Sequence, residues 1–207
     1  MLSTDDLEFI RSACAKLEKD GRTAFAVAAV HRILPVYQAY SEIHTEIQGY
    51  DPSHDTLVQI SRLLRRRPGV TSELVERKIE RAKSDLSADL SSVREVRESS
   101  LAESLVEEVL GAIYIVLDGW GKADLESYVQ ASLMALEVDL VWAEGGSDPV
   151  VSWDGLNTQY SWQVRDLKEL ALGGEESGFG VYRTIAMRAE REGVAYLQRM
   201  RSLMGQG

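Results

Sequence analysis

Apolar residues recur at three- and four-residue intervals along almost all of this 207-residue chain, and only four prolines interrupt the pattern. That spacing stacks apolar side chains on one side of successive helical turns, whereas a strand needs alternation at every second residue. Strand-like alternation is almost absent, and no repeat of fixed period runs through the chain. The pattern predicts an all-α fold, a multihelical array of about seven to nine helices around one core, in a single domain spanning residues 1–207.

Local signals set the expected boundaries. Ser3 or Thr4 can cap a first helix with Asp5 and Asp6 in its first turn and Leu7, Ile10, Cys14 and Leu17 on its apolar side. It is expected to stop at Asp20-Gly21, where glycine reaches the left-handed conformation. A second helix through Phe25, Ala29 and Ile33 is expected to kink or break at Pro35 and to continue through Tyr37 and Tyr40 to Gly49. Ser53 should cap a third helix closing in Arg65-Arg66-Arg67-Pro68, and Thr71-Ser72-Glu73 should open a fourth. Apolar positions thin out towards Ser100, so 84–100 reads as polar helix or loop and is a candidate mobile segment. Leu101–Leu117 is the most apolar stretch and the expected central helix, followed by Ala123–Ala143 after the break at Asp118-Gly-Trp-Gly-Lys. Gly145-Gly-Ser-Asp-Pro is a second break, and Val150-Val151 is the one short extended candidate. A helix over 161–172 follows, then the glycine-rich 173–180 as the other candidate mobile segment, and a last helix over 181–203.

The formal charge of −10 is unevenly spread. Residues 1–100 hold 16 acids and 15 bases and residues 155–207 hold 6 and 7, whereas 101–154 hold 11 acids and a single base, Lys122. A local acid surplus can steer a basic partner, and it speaks against nucleic acid, which is held by Lys and Arg displacing counterions from phosphates. The longest apolar run, Val109–Leu117, falls short of the ~20 residues that a membrane span needs. The N-terminal residues are acidic, unlike a secretory leader, and a lone cysteine allows no internal disulfide, so the expected location is cytoplasmic.

Leu17-Glu18, Phe25, Arg32, Pro35, Tyr37 and Tyr40 follow one another with the spacing of Leu-Glu, an aromatic, an Ala-rich helical turn, Arg, then Pro-x-Tyr and a further aromatic. This stretch resembles the opening helices of the YjaG-like family of bacterial proteins, and Ala112–Glu144 is more loosely similar to that family's later Ala-rich helix pair. Asn157–Gly180 is longer here. The resemblance implies a compact all-α fold and no reaction, so it supplies no catalytic residue. Physically, Phe25, Tyr37 and Tyr40 are expected in the core near the proline, with Arg32 bonding carbonyls that Pro35 frees.

No catalytic or cofactor motif emerges. Glu-x-x-His and His-x-x-x-His pairs are missing, and the 173–180 run carries two acids and lacks the Gly-Lys-Ser/Thr ending of a phosphate loop. His31, His44 and His54 are expected at the surface or in caps, and Cys14 as an inert apolar side chain. Arg62, Arg65 and Arg66, with Arg67, form a candidate anion site, although cations at a helix C-terminus are favoured by ~0.3–1 kcal/mol each in any case. Glu103, Glu107 and Glu108 share one helix, and Glu137, Asp139 and Glu144 the next. With no histidine or asparagine to complete a ligand set, no metal or cofactor is expected there.

The leading expectation is a non-enzymatic acidic interaction module, immunity- or regulator-like, that meets a basic protein through segment 101–154. Glu103, Glu107, Glu137, Asp139 and Glu144 would supply charge, and Trp142 and Trp153, with Trp162, the aromatic anchors. The rivals are a metal-assisted hydrolase or other small-molecule enzyme using the clustered carboxylates, and a structural homo-oligomer that buries the tryptophans between copies.

Overall fold

The structure, a computed structural model, describes residues 3–95, 100–120, 122, 124–145, 154–173 and 178–205. Eight helices make up these residues, with no strand among them: α1 (Thr4–Ala15), α2 (Lys19–Ser41), α3 (Tyr50–Leu64), α4 (Ser72–Arg94), α5 (Leu101–Gly119), α6 (Leu125–Gly145), α7 (Asp154–Leu172) and α8 (Gly178–Leu203). All eight contribute to one buried cluster.

Three starts follow the sequence closely. Ser3 and Asp6 form a reciprocal capping box on α1, Ser100 and Glu103 form another on α5, and Thr71 Oγ1 accepts from Leu74 N at the head of α4. Each such cap contributes about 1 kcal/mol by pairing an amide that the helix leaves unbonded. The α4 helix runs to Arg94 with Leu86 and Val93 buried, so most of 84–100 is ordered helix; residues 96–99 lie outside the described residues. The 146–150 break, Val150-Val151 and 174–177 lie outside them too.

Four boundaries differ from expectation. The first turn between helices falls at Lys16–Glu18, where Arg22 reaches back, Nε to Leu17 O at 2.8 Å and Nη2 to Ala15 O at 3.0 Å. Gly21 is consequently inside α2. Gly49, and not Ser53, heads α3, and α2 ends at Ser41 well before it; Ser53 is buried within α3. The α7 helix begins earlier, at Asp154. Pro35, finally, lies inside α2, so the break that was one of the two outcomes expected there does not occur.

The central helix is α2 rather than α5. Seventeen of its 23 residues are buried, so it is covered on every side. Its most extensive partner is α8, followed by α6 and α5, which pair with each other as a helical hairpin. The α8 helix crosses α2 at the proline. Pro35 removes the amide that would have bonded the His31 carbonyl, and Gly193 of α8 lies against this spot. A Cβ there would stand 3.0 Å from Arg32 O, 3.1 Å from Pro35 Cγ and 3.3 Å from His31 O, which is why the crossing needs glycine.

Candidate functional site: two charged faces and the ion pairs between helices

The most heavily charged contacts lie inside the protein. Arg32, wholly buried on α2, donates from Nη2 to Asp166 on α7 at 2.5 Å and from Nε to Glu192 on α8 at 2.7 Å. Arg165 bonds the other oxygen of Glu192 at 2.5 Å. Arg188 bonds Asp166 at 2.5 Å and forks onto Glu169 at 2.8 and 3.0 Å. Three guanidiniums thus meet three carboxylates, and the Trp162 ring lies 5.8 Å from the Arg32 centre. Burial pushes the Asp166 carboxyl upwards, and Arg32 and Arg188 oppose that push. The Arg32 reading is corrected here: its partners are carboxylates 134 and 160 residues away, not carbonyls freed by Pro35. The network specifies how three helices fit, with Arg32 and Asp166 buried at its centre and Arg165 and Glu169 at its solvent edge.

Two further buried acids stand elsewhere. Asp89 of α4 accepts from the amides of Gly49 (2.7 Å) and Gln48 (3.2 Å), so it caps the head of α3, and the Tyr37 hydroxyl donates to the same carboxylate. Asp139 of α6 accepts from the Tyr196 hydroxyl at 2.5 Å. Burial pushes its carboxyl up to about 6, against the pull of Tyr196, Arg199 and the Gln159 amide.

These placements redraw the acidic segment. Asp139 and Trp142, each 6% exposed, belong to the core and not to a partner-binding face, because they sit on the side of α6 turned towards the rest of the protein. Trp153 lies outside the described residues. Glu103 is engaged in its capping box and accepts from Tyr40 Oη at 3.3 Å. Glu107 pairs with Arg94 at 2.6 Å, and Glu126 with Arg11 at 2.8 Å. Lys83 and Lys122 hold Asp118 at 2.7 and 2.6 Å, and their hydrogen bonds keep its carboxyl at about 2. Bases from α1 and α4 therefore pair with three of the segment's acids, Glu107, Asp118 and Glu126.

What remains is compact. Glu108 of α5 and Glu137 of α6 oppose each other across the hairpin; burial first, then the charges of Glu137 and Glu107 and a hydrogen bond to Glu137, push the Glu108 carboxyl upwards. Among the described residues neither has a basic partner. Glu137 and Glu144 are exposed on α6. Among the described residues no group of three or more His, Cys, Asp or Glu is placed to hold a metal ion.

The basic candidates fall at the other end of α3. Arg62, Arg65 and Arg67 line one depression with Pro68 and Val70, and Arg66 is not part of its lining. The histidines divide. His44 stacks on Tyr40 at 4.0 Å and His54 on Tyr50 at 5.9 Å, both at the rim. His31 is buried instead, and burial, then His54 and Arg32, push it down to about 3, so it is neutral. Cys14 is buried, and burial raises its thiol to about 11, far from a reactive range.

The fold and its surface thus define an eight-helix array, among the described residues, with a buried ion-pair network between α2, α7 and α8, an acidic face on the α5–α6 hairpin and a basic face at the end of α3. Family models, curated proteins and solved structures give no match to this chain. No described helix is long and apolar enough to cross a membrane.

Proposed function

We propose that this chain is a non-enzymatic helical interaction module that binds a basic protein partner through the face of the α5–α6 hairpin, with Glu108 and Glu137 at its centre and Glu107 and Glu144 beside them. The observation that carries this reading is the unneutralised opposition of Glu108 and Glu137. Glu107, Glu126 and Asp118 receive Arg94, Arg11, Lys83 and Lys122, whereas the Glu108 and Glu137 carboxyls face each other without a base. A Lys or Arg from a partner relieves that repulsion and gains two acceptors at once. The wider acidic surface guides the approach of such a partner over a Debye length of ~8–10 Å. The rigid backing comes from the core behind it, where Val106, Val109, Leu110, Leu136 and Val138 are buried.

The test uses the intact chain as bait at low salt against extract of the organism of origin, beside a Glu108→Lys/Glu137→Lys bait. A basic protein retained by the first, lost by the second and released by moderate salt supports the reading. Retention that is equal on both baits, or indifferent to salt, sinks it.

A further inference from the structure

The basic face has features that helix stability leaves unexplained. Arg62 and Arg65 occupy the last turns of α3 and its cap, and Arg67 lies in the turn beyond. With Pro68 and Val70 they line an open depression of about 400 Å³. Arg183 comes from α8, a different helix, and is close enough to act on Arg65, whose pKa is lowered by burial first and then by Arg67, Arg183 and Arg62, with Glu190 opposing.

Among the described residues no carboxylate reaches ion-pair distance of Arg62, Arg65, Arg67 or Arg183. Four arginines therefore gather without an ion-pair partner, and Glu190 is the acid that acts on Arg65. A helix dipole accounts for part of it, since Arg62 and Arg65 lie at a C-terminus and Arg65 Nε donates to Ser61 O at 3.0 Å. It does not account for Arg183, which lies on the second turn of α8, beyond the reach of that dipole.

The backbone is also bent to bring these residues together. Arg66 N donates to Leu63 O at 2.8 Å and Arg67 N to Arg62 O at 3.0 Å, the two bonds of a Schellman closure. The residue in its left-handed position is Arg66, at φ +48°, where glycine would fit without strain. That closure folds Arg67 back over Arg62 and completes the rim.

We infer that this depression binds a small molecule bearing a phosphate or pyrophosphate group, with Arg62, Arg65, Arg67 and Arg183 donating to its oxygens and Pro68 and Val70 forming an apolar wall. Guanidinium forks match phosphate oxygens in geometry, and a doubly charged anion relieves the mutual repulsion of the four arginines. The patch is too local, on a strongly acidic chain, to track a nucleic-acid backbone.

Calorimetric titration of the full chain with inorganic pyrophosphate and with inorganic phosphate, at fixed ionic strength, tests this. The expected result is saturable pyrophosphate binding that Arg65→Met/Arg183→Met weakens at least about tenfold. Arg201→Met, which removes an arginine paired with Glu42 elsewhere, should leave it unchanged. Arg67→Met, in the exposed turn, gives the same reading if circular dichroism shows the double variant unfolded. Absence of binding at millimolar pyrophosphate, an equal loss in R201M, or tighter and more salt-sensitive binding of a single-stranded oligonucleotide overturns the inference. Pyrophosphate binding should survive in the Glu108→Lys/Glu137→Lys protein, so this inference and the acidic-face reading stand or fall separately.

Discussion

Arg32 and Asp166 meet at 2.5 Å with neither side chain exposed to water. Removing one partner leaves a buried charge uncompensated, which costs about 3–5 kcal/mol, while removing both costs less. Arg32→Met should therefore destabilise the protein strongly in urea unfolding. Arg32→Met with Asp166→Leu should recover part of the loss, although Glu192 then keeps only Arg165 and Arg188 only Glu169. A double variant no better than the single one would refute the pairing.

Asp89 joins three elements by accepting from Tyr37, Gln48 and Gly49. Its replacement by alanine strands two amides and a hydroxyl, so a loss of about 2–4 kcal/mol is expected, with Asp89→Asn milder. Gly49→Ala should be comparably harmful, since its Cβ would lie 2.7 Å from Tyr37 Oη and 2.8 Å from Asp89 Oδ2. Thermal unfolding of the three variants decides it.

The stability contributed by Asp139 depends on pH in an unusual sense. The unfolded carboxyl titrates near 3.8 and the folded one at about 6, so the folded state holds a proton that the unfolded state has released between those values. Stability is fully present below the lower value and is lost as pH rises through the upper one, by at most about 3 kcal/mol. Asp139→Asn, which keeps an acceptor for Tyr196, should gain on wild type progressively from pH 4 to 6 and keep that gain, unchanged, above. His31 acts in the opposite sense: its folded pKa of about 3 lies below the ordinary 6.5, so it costs stability as pH falls between them. Comparing Asp139→Asn with wild type at every pH isolates the Asp139 contribution, because His31 is present in both proteins.

Much of this fold was legible because surface helices carry their own punctuation. Ser3, Thr71 and Ser100 announce α1, α4 and α5 through oxygens that pair with amides two or three residues on. The buried helix was harder: α2 is apolar all round, so it shows no face, and Pro35 read as a kink or a break although the helix runs through it, with Gly193 of α8 packed against the place of its missing amide. The charges were hardest. Asp89, Asp139 and Asp166 sit among residues that read as surface, and what permits their burial is a partner 41 to 134 positions away. The pairing of Glu107, Glu126 and Asp118 was hidden too, since Arg94, Arg11 and Lys83 come from other helices.

Gly193→Ala should destabilise by about 1–3 kcal/mol, because the nearest atoms are backbone and a proline ring, neither of which can move aside cheaply. An ordinary α-helical surface would instead gain slightly from alanine, so the sign of the change in chemical denaturation is the test.

That crossing also sets an order of events for a chain growing on the ribosome. The α2 helix is made early, is apolar on every side and finds its largest partner only in α8, more than a hundred residues later. The surface that α8 covers stays open until α8 itself is made, since long-range closure has to wait for the segment that provides it. The nascent protein therefore depends on α5 and α6, which also pack on α2, to shield it in the interval.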